Sequence, residues 1–182
     1  MVKIQNIVSS GSLDYEFDLE SVAGHLGSIA EYDPDEYHGM YIRFNEDVPL
    51  ITLYRTGKYI IIGGDSKEQA YSTRKKFLDL LAKNGMISTP TDEWFQIQNL
   101  VCTAELKQSL NLNAVAIGLG LEKTEYEPEQ FPGLIYRSPD FDSVVLLFAS
   151  GRVVITGSSD LDTAERTFSI LSDDIADILN IN

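Results

Sequence analysis

Apolar residues along the chain change their spacing in a regular order, and that order predicts alternating short strands and helices. Ile4, Ile7 and Val8 lie in a short apolar run that predicts a strand over residues 4–8. Leu19, Val22, Ala23 and Leu26 then share one helical face behind Asp18, a side chain suited to capping a first helical turn. Residues 40–44, 50–54 and 58–62 are β-rich runs separated by Asn45-Glu46-Asp47 and by Thr56-Gly57, which predicts an antiparallel meander. Past Gly63-Gly64, Ala70, Phe77, Leu78 and Leu81 return to helical spacing, so a long helix is expected over 66–82 with Ser66 as its cap. The second half repeats the series: a short helix over 111–119, three strands between Gly133 and Thr156, and a long helix over 161–179.

The likeness of the two halves extends to residue identity. Ile4-Gln5-Asn6-Ile7-Val8 recurs as Ile97-Gln98-Asn99-Leu100-Val101, EYDPDEYHGMYIR at 31–43 recurs as EYEPEQFPGLIYR at 125–137, and LYRTGKYIIIGG at 53–64 recurs as LFASGRVVITGS at 147–158. The offset is 93 at the first block and 94 at the other two, which is the signature of an internal duplication. We therefore divide the chain into repeats 1–92 and 93–182, joined by the Gly/Pro-containing connector 84–92. Two such copies in tandem most simply extend one antiparallel sheet with both long helices on one face. The other face is then open, and it carries Val8, Ile60 and Ile62 in the first copy and Val101, Leu146 and Val154 in the second. An apolar open face requires a partner.

Charge complicates the choice of partner. Fourteen Lys+Arg against 28 Asp+Glu give −14, whereas phosphate is ordinarily met by a basic surface. The second half is the more acidic, with 5 basic and 14 acidic groups against 9 and 14 in the first. An excess of acid of this kind has two readings, generic solubility and life in high salt, and the second is preferred. One cysteine, Cys102, cannot close an internal disulfide, and with only His25 and His38 beside it no metal or other cofactor is expected. No apolar run approaches the roughly 20 residues of a membrane span and the N-terminus lacks a signal pattern, so the expected location is cytoplasmic and no membrane partner is expected. The chain lacks a nucleophile with an adjacent base, a phosphate-cradling Gly-rich loop and metal-ligand spacing, and is not expected to be an enzyme.

Taken together, IQN(I/L)V, EYEPEQFPGLIYR and LLFASGRVVITG resemble the repeat signature of the TATA-binding protein family, and the resemblance covers essentially the whole chain. The chain is similar to the archaeal form, with no long extension ahead of the repeats, and its acidity fits a halophile. The resemblance implies an α/β (α+β) two-repeat saddle with a curved ten-stranded antiparallel sheet and helices on the convex face. The implied function is general transcription initiation: the concave face binds and bends A/T-rich double-stranded promoter DNA through the minor groove. Transcription factor B is the implied protein partner and RNA polymerase an indirect one, with a nucleoid-associated location.

The family's site residues carry over position by position. Its minor-groove wedges, for which the family is a standard example, match Phe131 and Phe148, with Pro132 beside them, in the second repeat and Tyr37 and Tyr54 in the first; both pairs are 17 residues apart. Asn6 and Asn99 match donors to base acceptors at the centre of the site, and Thr156 matches an assisting threonine whose counterpart here is Ile62. Val8, Ile60, Val101, Leu146 and Val154 are expected against sugars and base edges, and Arg43, Lys58, Arg137 and Arg152 on phosphates. Asp65 and Ser159 stand where a lysine often occurs, which predicts a shallow or inverted dependence of binding on salt. Glu127, Glu129 and Gln130 match the loop that transcription factor B grips. The first repeat departs from the pattern at Tyr37, His38, Thr52, Tyr54 and Ile62. That departure supports a second reading, a paralogue with weakened DNA binding that acts as a protein-interaction adaptor or alternative initiation factor. A homodimer through the free sheet face is a further expectation.

Overall fold

Side-chain caps fix where the helices begin. The Asp18 carboxylate accepts from the Ser21 N–H at 3.3 Å and opens α1 (Leu19–Leu26). Ser66 accepts from the Gln69 N–H at 3.3 Å and opens α2 (Lys67–Lys83). Asn111 accepts from the Ala114 N–H at 3.2 Å ahead of α3 (Leu112–Leu119), and Asp160 from the Thr163 N–H at 3.1 Å ahead of α4 (Leu161–Asn180). Each cap satisfies an amide that the helix itself leaves without a partner. This computed structural model describes residues 1–46, 48–88 and 94–180. The connector's residues 89–92, the boundary between 92 and 93, and Asp47 of the predicted Asn45-Glu46-Asp47 turn lie outside the described residues.

The strands are β1 (Lys3–Ser12), β2 (Ala30–Glu31), β3 (Gly39–Ile42), β4 (Leu50–Tyr54) and β5 (Lys58–Ile62), then β6 (Trp94–Glu105), β7 (Thr124–Glu125), β8 (Leu134–Arg137), β9 (Val144–Leu147) and β10 (Arg152–Ser158). Two compact units are formed, one by Asn6–Gln98 and the other by Met1–Gln5 with Asn99–Asn182, so that β1 and β6 contribute to both. The first unit carries the order β2-β3-β4-β5-β1-β6 and the second β1-β6-β10-β9-β8-β7, which makes one ten-stranded antiparallel sheet. The predicted spans for β4 and β5 coincide with the observed ones. β1 and β6 run well beyond 4–8 and its copy because pairing overrides weak strand formers. Ser9 and Gly11 pair with Ile61 and Tyr59, and the buried Ser9 hydroxyl donates to the Ile61 carbonyl at 3.4 Å.

Alternation along the strands sorts the two faces of each unit. In the first, Ile7, Ser9, Ile51, Leu53, Tyr59 and Ile61 are buried, while Val8, Ser10 and Ile60 are half-buried and Ile62 is 41 % exposed. Of these, Ile51, Leu53, Tyr59 and Ile61 meet Leu19 and Val22 of α1 and Phe77, Leu78 and Leu81 of α2 in one core. Each fully buried Ile or Leu there contributes about 1.5–3 kcal/mol. In the second unit Cys102, Ala104, Val145, Leu147, Val153 and Ile155 are buried along with Val115 and Ala116 of α3 and Ala164, Leu171 and Ile175 of α4. The helices thus take one face of each unit's strands and leave the other without a cover. No described helix is long and apolar enough to cross a membrane.

Candidate nucleic-acid interface

Cross-strand register sets Val8 beside Ile62 in the first repeat and Leu146 beside Val154 in the second, with Ile60 in the next row of the first. In the first unit Ile62 lies between Val8 and Leu50, and Ile60 lies between Ser10 and Thr52, with Tyr41 next in the row. In the second, Val154 lies between Thr103 and Leu146, with Ile135 beyond. Cross-strand neighbours at these spacings interact, so each unit presents a strip of apolar side chains interrupted by Ser10 and Thr52 in the first and by Thr103 in the second.

An aromatic pair stands at the end of each strip, built by the same local devices. Asp33 and Glu127 open matching turns in which the Tyr37 N–H donates to the Asp33 carbonyl and the Phe131 N–H to the Glu127 carbonyl, both at 2.9 Å. Tyr54, the last residue of β4, and Phe148, just past the end of β9, stand at hairpin turns closed by Gly57 N–H to Tyr54 O at 2.9 Å and Gly151 N–H to Phe148 O at 2.8 Å. Gly57 and Gly151 have φ of 78° and 84°, a region that favours glycine. The Tyr37 and Tyr54 rings meet edge to face with centroids 6.3 Å apart, and the Phe131 and Phe148 rings do the same at 5.9 Å. Beneath them lie Gly39 and Gly133. A Cβ on Gly133 would fall 2.7 Å from Phe131 and 3.1 Å from Phe148, and one on Gly39 would fall 2.8 Å from Tyr37 and 3.0 Å from Tyr54.

The pairs differ in chemistry. The Tyr37 and Tyr54 hydroxyls are hydrogen-bonded at 2.7 Å, and Tyr41 stacks on Tyr37 at 5.3 Å and 4°, where the second repeat has Ile135. Burial, the hydrogen bond to Tyr37 and the nearby charges of Tyr37 and Tyr41 push the Tyr54 hydroxyl up to about 12. Tyr37 remains 39 % exposed.

The two central asparagines also differ. Asn99 donates through Nδ2 to Thr156 Oγ1 at 3.0 Å, and its Oδ1 accepts from the Gly157 N–H at 2.8 Å, where β10 departs from regular register. Ile62 offers Asn6 no equivalent hydroxyl.

Arg43, Lys58, Arg137 and Arg152 are all exposed. Lys58 borders a recess of about 560 Å³ with Ser10, Tyr54, Ile60, His38 and Trp94, and Arg152 borders one of about 520 Å³ with Thr103, Phe148 and Val154. The recesses occupy corresponding places in the two repeats, but Trp94, 46 % exposed, and His38 enter only the first. Pro132 is exposed beside Phe131, as are Glu127, Glu129 and Gln130, which sit in the turn that presents that ring. Gly39, Gly133, Tyr41 and Trp94 were not reached from the sequence. The two glycines could have been, since they occupy the same place in the repeated block. Among the described residues no group of three His, Cys, Asp or Glu side chains could hold a metal ion.

Comparison with known proteins matches this arrangement to one family. The family model described as transcription factor TFIID (or TATA-binding protein, TBP) matches residues 1–84 and 94–178. The chain is 48% identical over 179 residues to TATA-box-binding protein C of Halobacterium salinarum, covering 98% of this chain and 99% of that one. It is 40% identical to the TATA-box-binding protein of Haloarcula marismortui, over 97% of this chain and 94% of the relative. Among solved structures it resembles Methanococcus jannaschii TBP with a TM-score of 0.83 and 40% identity, covering 97% of this chain and 98% of that one.

Proposed function

The chain belongs to the TATA-binding protein family, and from that premise we propose that it is a general transcription initiation factor whose uncovered sheet face binds and bends A/T-rich promoter DNA through the minor groove. The family is one of DNA-binding transcription factors rather than enzymes, and the relatives named above are haloarchaeal and methanogen proteins.

The observation that carries this reading is the matched geometry of the aromatic pairs. Two rings held edge to face on a glycine floor, at the end of an apolar strip, are what wedging between base steps requires: the rings replace lost base stacking and the strip lies against sugars. In this reading Phe131 and Phe148 wedge in the second repeat and Tyr37 and Tyr54 in the first. Asn6, Asn99 and Thr156 reach base acceptors, and Val8, Ile60, Val101, Leu146 and Val154 line the groove. Arg43, Lys58, Arg137 and Arg152 meet phosphates, Pro132 supports the second wedge, and the duplicated halves 1–92 and 93–182 act as paired modules. Glu127, Glu129 and Gln130 recruit transcription factor B and through it RNA polymerase, by presenting acid to a basic partner. A cytoplasmic, nucleoid-associated location and pairing of two copies through the free sheet face in the absence of DNA belong to the same proposal.

Selection of bound duplexes from a random pool, at low and at molar KCl, tests it. Enrichment of an A/T-rich box, with binding that weakens little or strengthens as salt rises, is expected. The adaptor reading draws on the Tyr37–Tyr54 hydroxyl contact, which adds polar groups to a surface meant for a base stack. It would be preferred over DNA binding if no sequence were enriched at either salt concentration.

A further inference from the structure

The two aromatic pairs share a geometry and differ in what they can hydrogen-bond. The Phe131–Phe148 pair has no polar atom. In the Tyr37–Tyr54 pair one hydroxyl donates to the other at 2.7 Å, which uses one O–H and leaves one O–H donor and unused lone pairs on both oxygens. The rings have little freedom to turn these groups away. Tyr41 stacks flat against Tyr37 at 5.3 Å, and Gly39 lies so close beneath both rings that even a methyl group would collide with them. The Tyr54 hydroxyl, raised to about 12, stays protonated through the neutral range and can both donate and accept there.

The minor groove supplies partners unequally. A·T and T·A pairs offer only acceptors, adenine N3 and thymine O2, whereas a G·C pair adds one donor, the guanine N2 amine. Against an A·T step the pair can place its free O–H on an acceptor, but its oxygens face more acceptors and lose the water that served them. A guanine amine supplies the missing donor.

We propose that Tyr37 and Tyr54 make the first repeat a reader of the guanine N2 amine, so that this chain favours a G·C pair at the base step met by that repeat. The second repeat, with Phe131 and Phe148, has no such preference. The inference rests on the DNA-binding reading above and adds a specificity to it.

Fluorescence anisotropy with labelled duplexes tests it. All share an A/T core and differ only at the terminal steps: A·T at both ends, G·C at one end, G·C at both, inosine·C at one end, which lacks only the amine, and 2,6-diaminopurine·T at one end, which adds only the amine. One G·C or one diaminopurine·T should tighten binding about five-fold over all A/T, the value of one net hydrogen bond. Inosine·C should remove that gain, and a second G·C should add nothing, because it meets the phenylalanines. The Tyr37→Phe/Tyr54→Phe double variant, checked for folding by circular dichroism, should bind all-A/T DNA more tightly and lose the preference for G·C. The proposal is overturned if wild type binds G·C no better than A·T, if inosine·C keeps the gain, or if the double variant keeps the preference. Failure to bind any of the duplexes would overturn the DNA-binding reading, and this one with it.

Discussion

Gly133→Ala places a methyl group where the structure has none to spare, and it separates folding from wedging. The added Cβ would lie 2.7 Å from Phe131 Cε1, and ordinary contact begins at 3.4 Å, so that ring must recede by at least 3.4 − 2.7 = 0.7 Å; Phe148, at 3.1 Å, must also give way. Both rings are half-buried on the uncovered face and can tilt outward. Such a tilt falls well short of the roughly 30° rotamer departure that costs about 0.5–1.5 kcal/mol. The alanine also reduces the freedom of the unfolded chain, which offsets about 0.4–1 kcal/mol. Folding stability should therefore change by less than about 1 kcal/mol. DNA binding should suffer more, because two rings displaced together no longer meet the base step as a rigid wedge. Base–aromatic stacking is worth about 1–3 kcal/mol per base, so loss of about half of it from each of the two rings, about 1–3 kcal/mol in all, predicts a Kd raised between about five-fold and about 140-fold. Anisotropy titration and thermal melting of the same sample measure the two effects. Native affinity with native melting would refute the idea that the glycine sets the rings' position. Gly39→Ala, whose Cβ would lie 2.7 Å from Thr52 Cγ2 and 2.8 Å from Tyr37 Cε1, provides the same test in the first repeat.

Phe131→Ala and Phe148→Ala should each weaken binding by about 1–3 kcal/mol and reduce the bend read by energy transfer between duplex ends; an unchanged bend in both would refute the wedge assignment. Glu127→Arg with Glu129→Arg should preserve or strengthen binary DNA binding while abolishing the complex with transcription factor B, and normal ternary assembly would count against that contact. The Tyr54 hydroxyl titrates near 12 in the fold against 10.0 unperturbed, so the unfolded chain loses this proton first as pH rises. The stability that Tyr54 contributes is accordingly fully present below pH 10 and is lost progressively as pH rises towards 12. In Tyr37→Phe the ultraviolet titration of Tyr54 should move down, since the hydrogen bond to Tyr37 and the charge of Tyr37, two of its raising causes, are gone; no movement would mean that Tyr37 does not hold it. Ile155→Ala, in the fully buried layer of β10, should cost about 2–5 kcal/mol of stability by leaving a cavity, measurable by urea unfolding.

Much of the fold was legible because period and caps agreed. Asp18 and Ser66 began helices where their side chains cap, and 50–54 and 58–62 became strands unchanged. β2 and β7 escaped notice because two residues carry no period, and the extension of β1 through Ser9-Ser10-Gly11-Ser12 depends on partners far along the chain. The aromatic positions were visible through the duplication. Their floor, Gly39 and Gly133, was not reached because a glycine's importance lies in what its missing side chain would strike. Nor could spacing alone bring the Tyr37 and Tyr54 hydroxyls within bonding distance or set Tyr41 flat on Tyr37, since those depend on ring orientation.

Trp94 gives the molecule a built-in optical reporter. It is the chain's single tryptophan, and its indole lies partly open in the recess beside Ser10, Tyr54 and Lys58. A ligand settling on that surface would strip water from the ring and shift its emission, with no dye attached. The counterpart recess, bordered by Phe148 and Arg152, holds no indole. Stopped-flow emission from unmodified protein would therefore follow the first repeat alone, and a labelled duplex recorded alongside it would reveal whether the two halves engage together or in sequence.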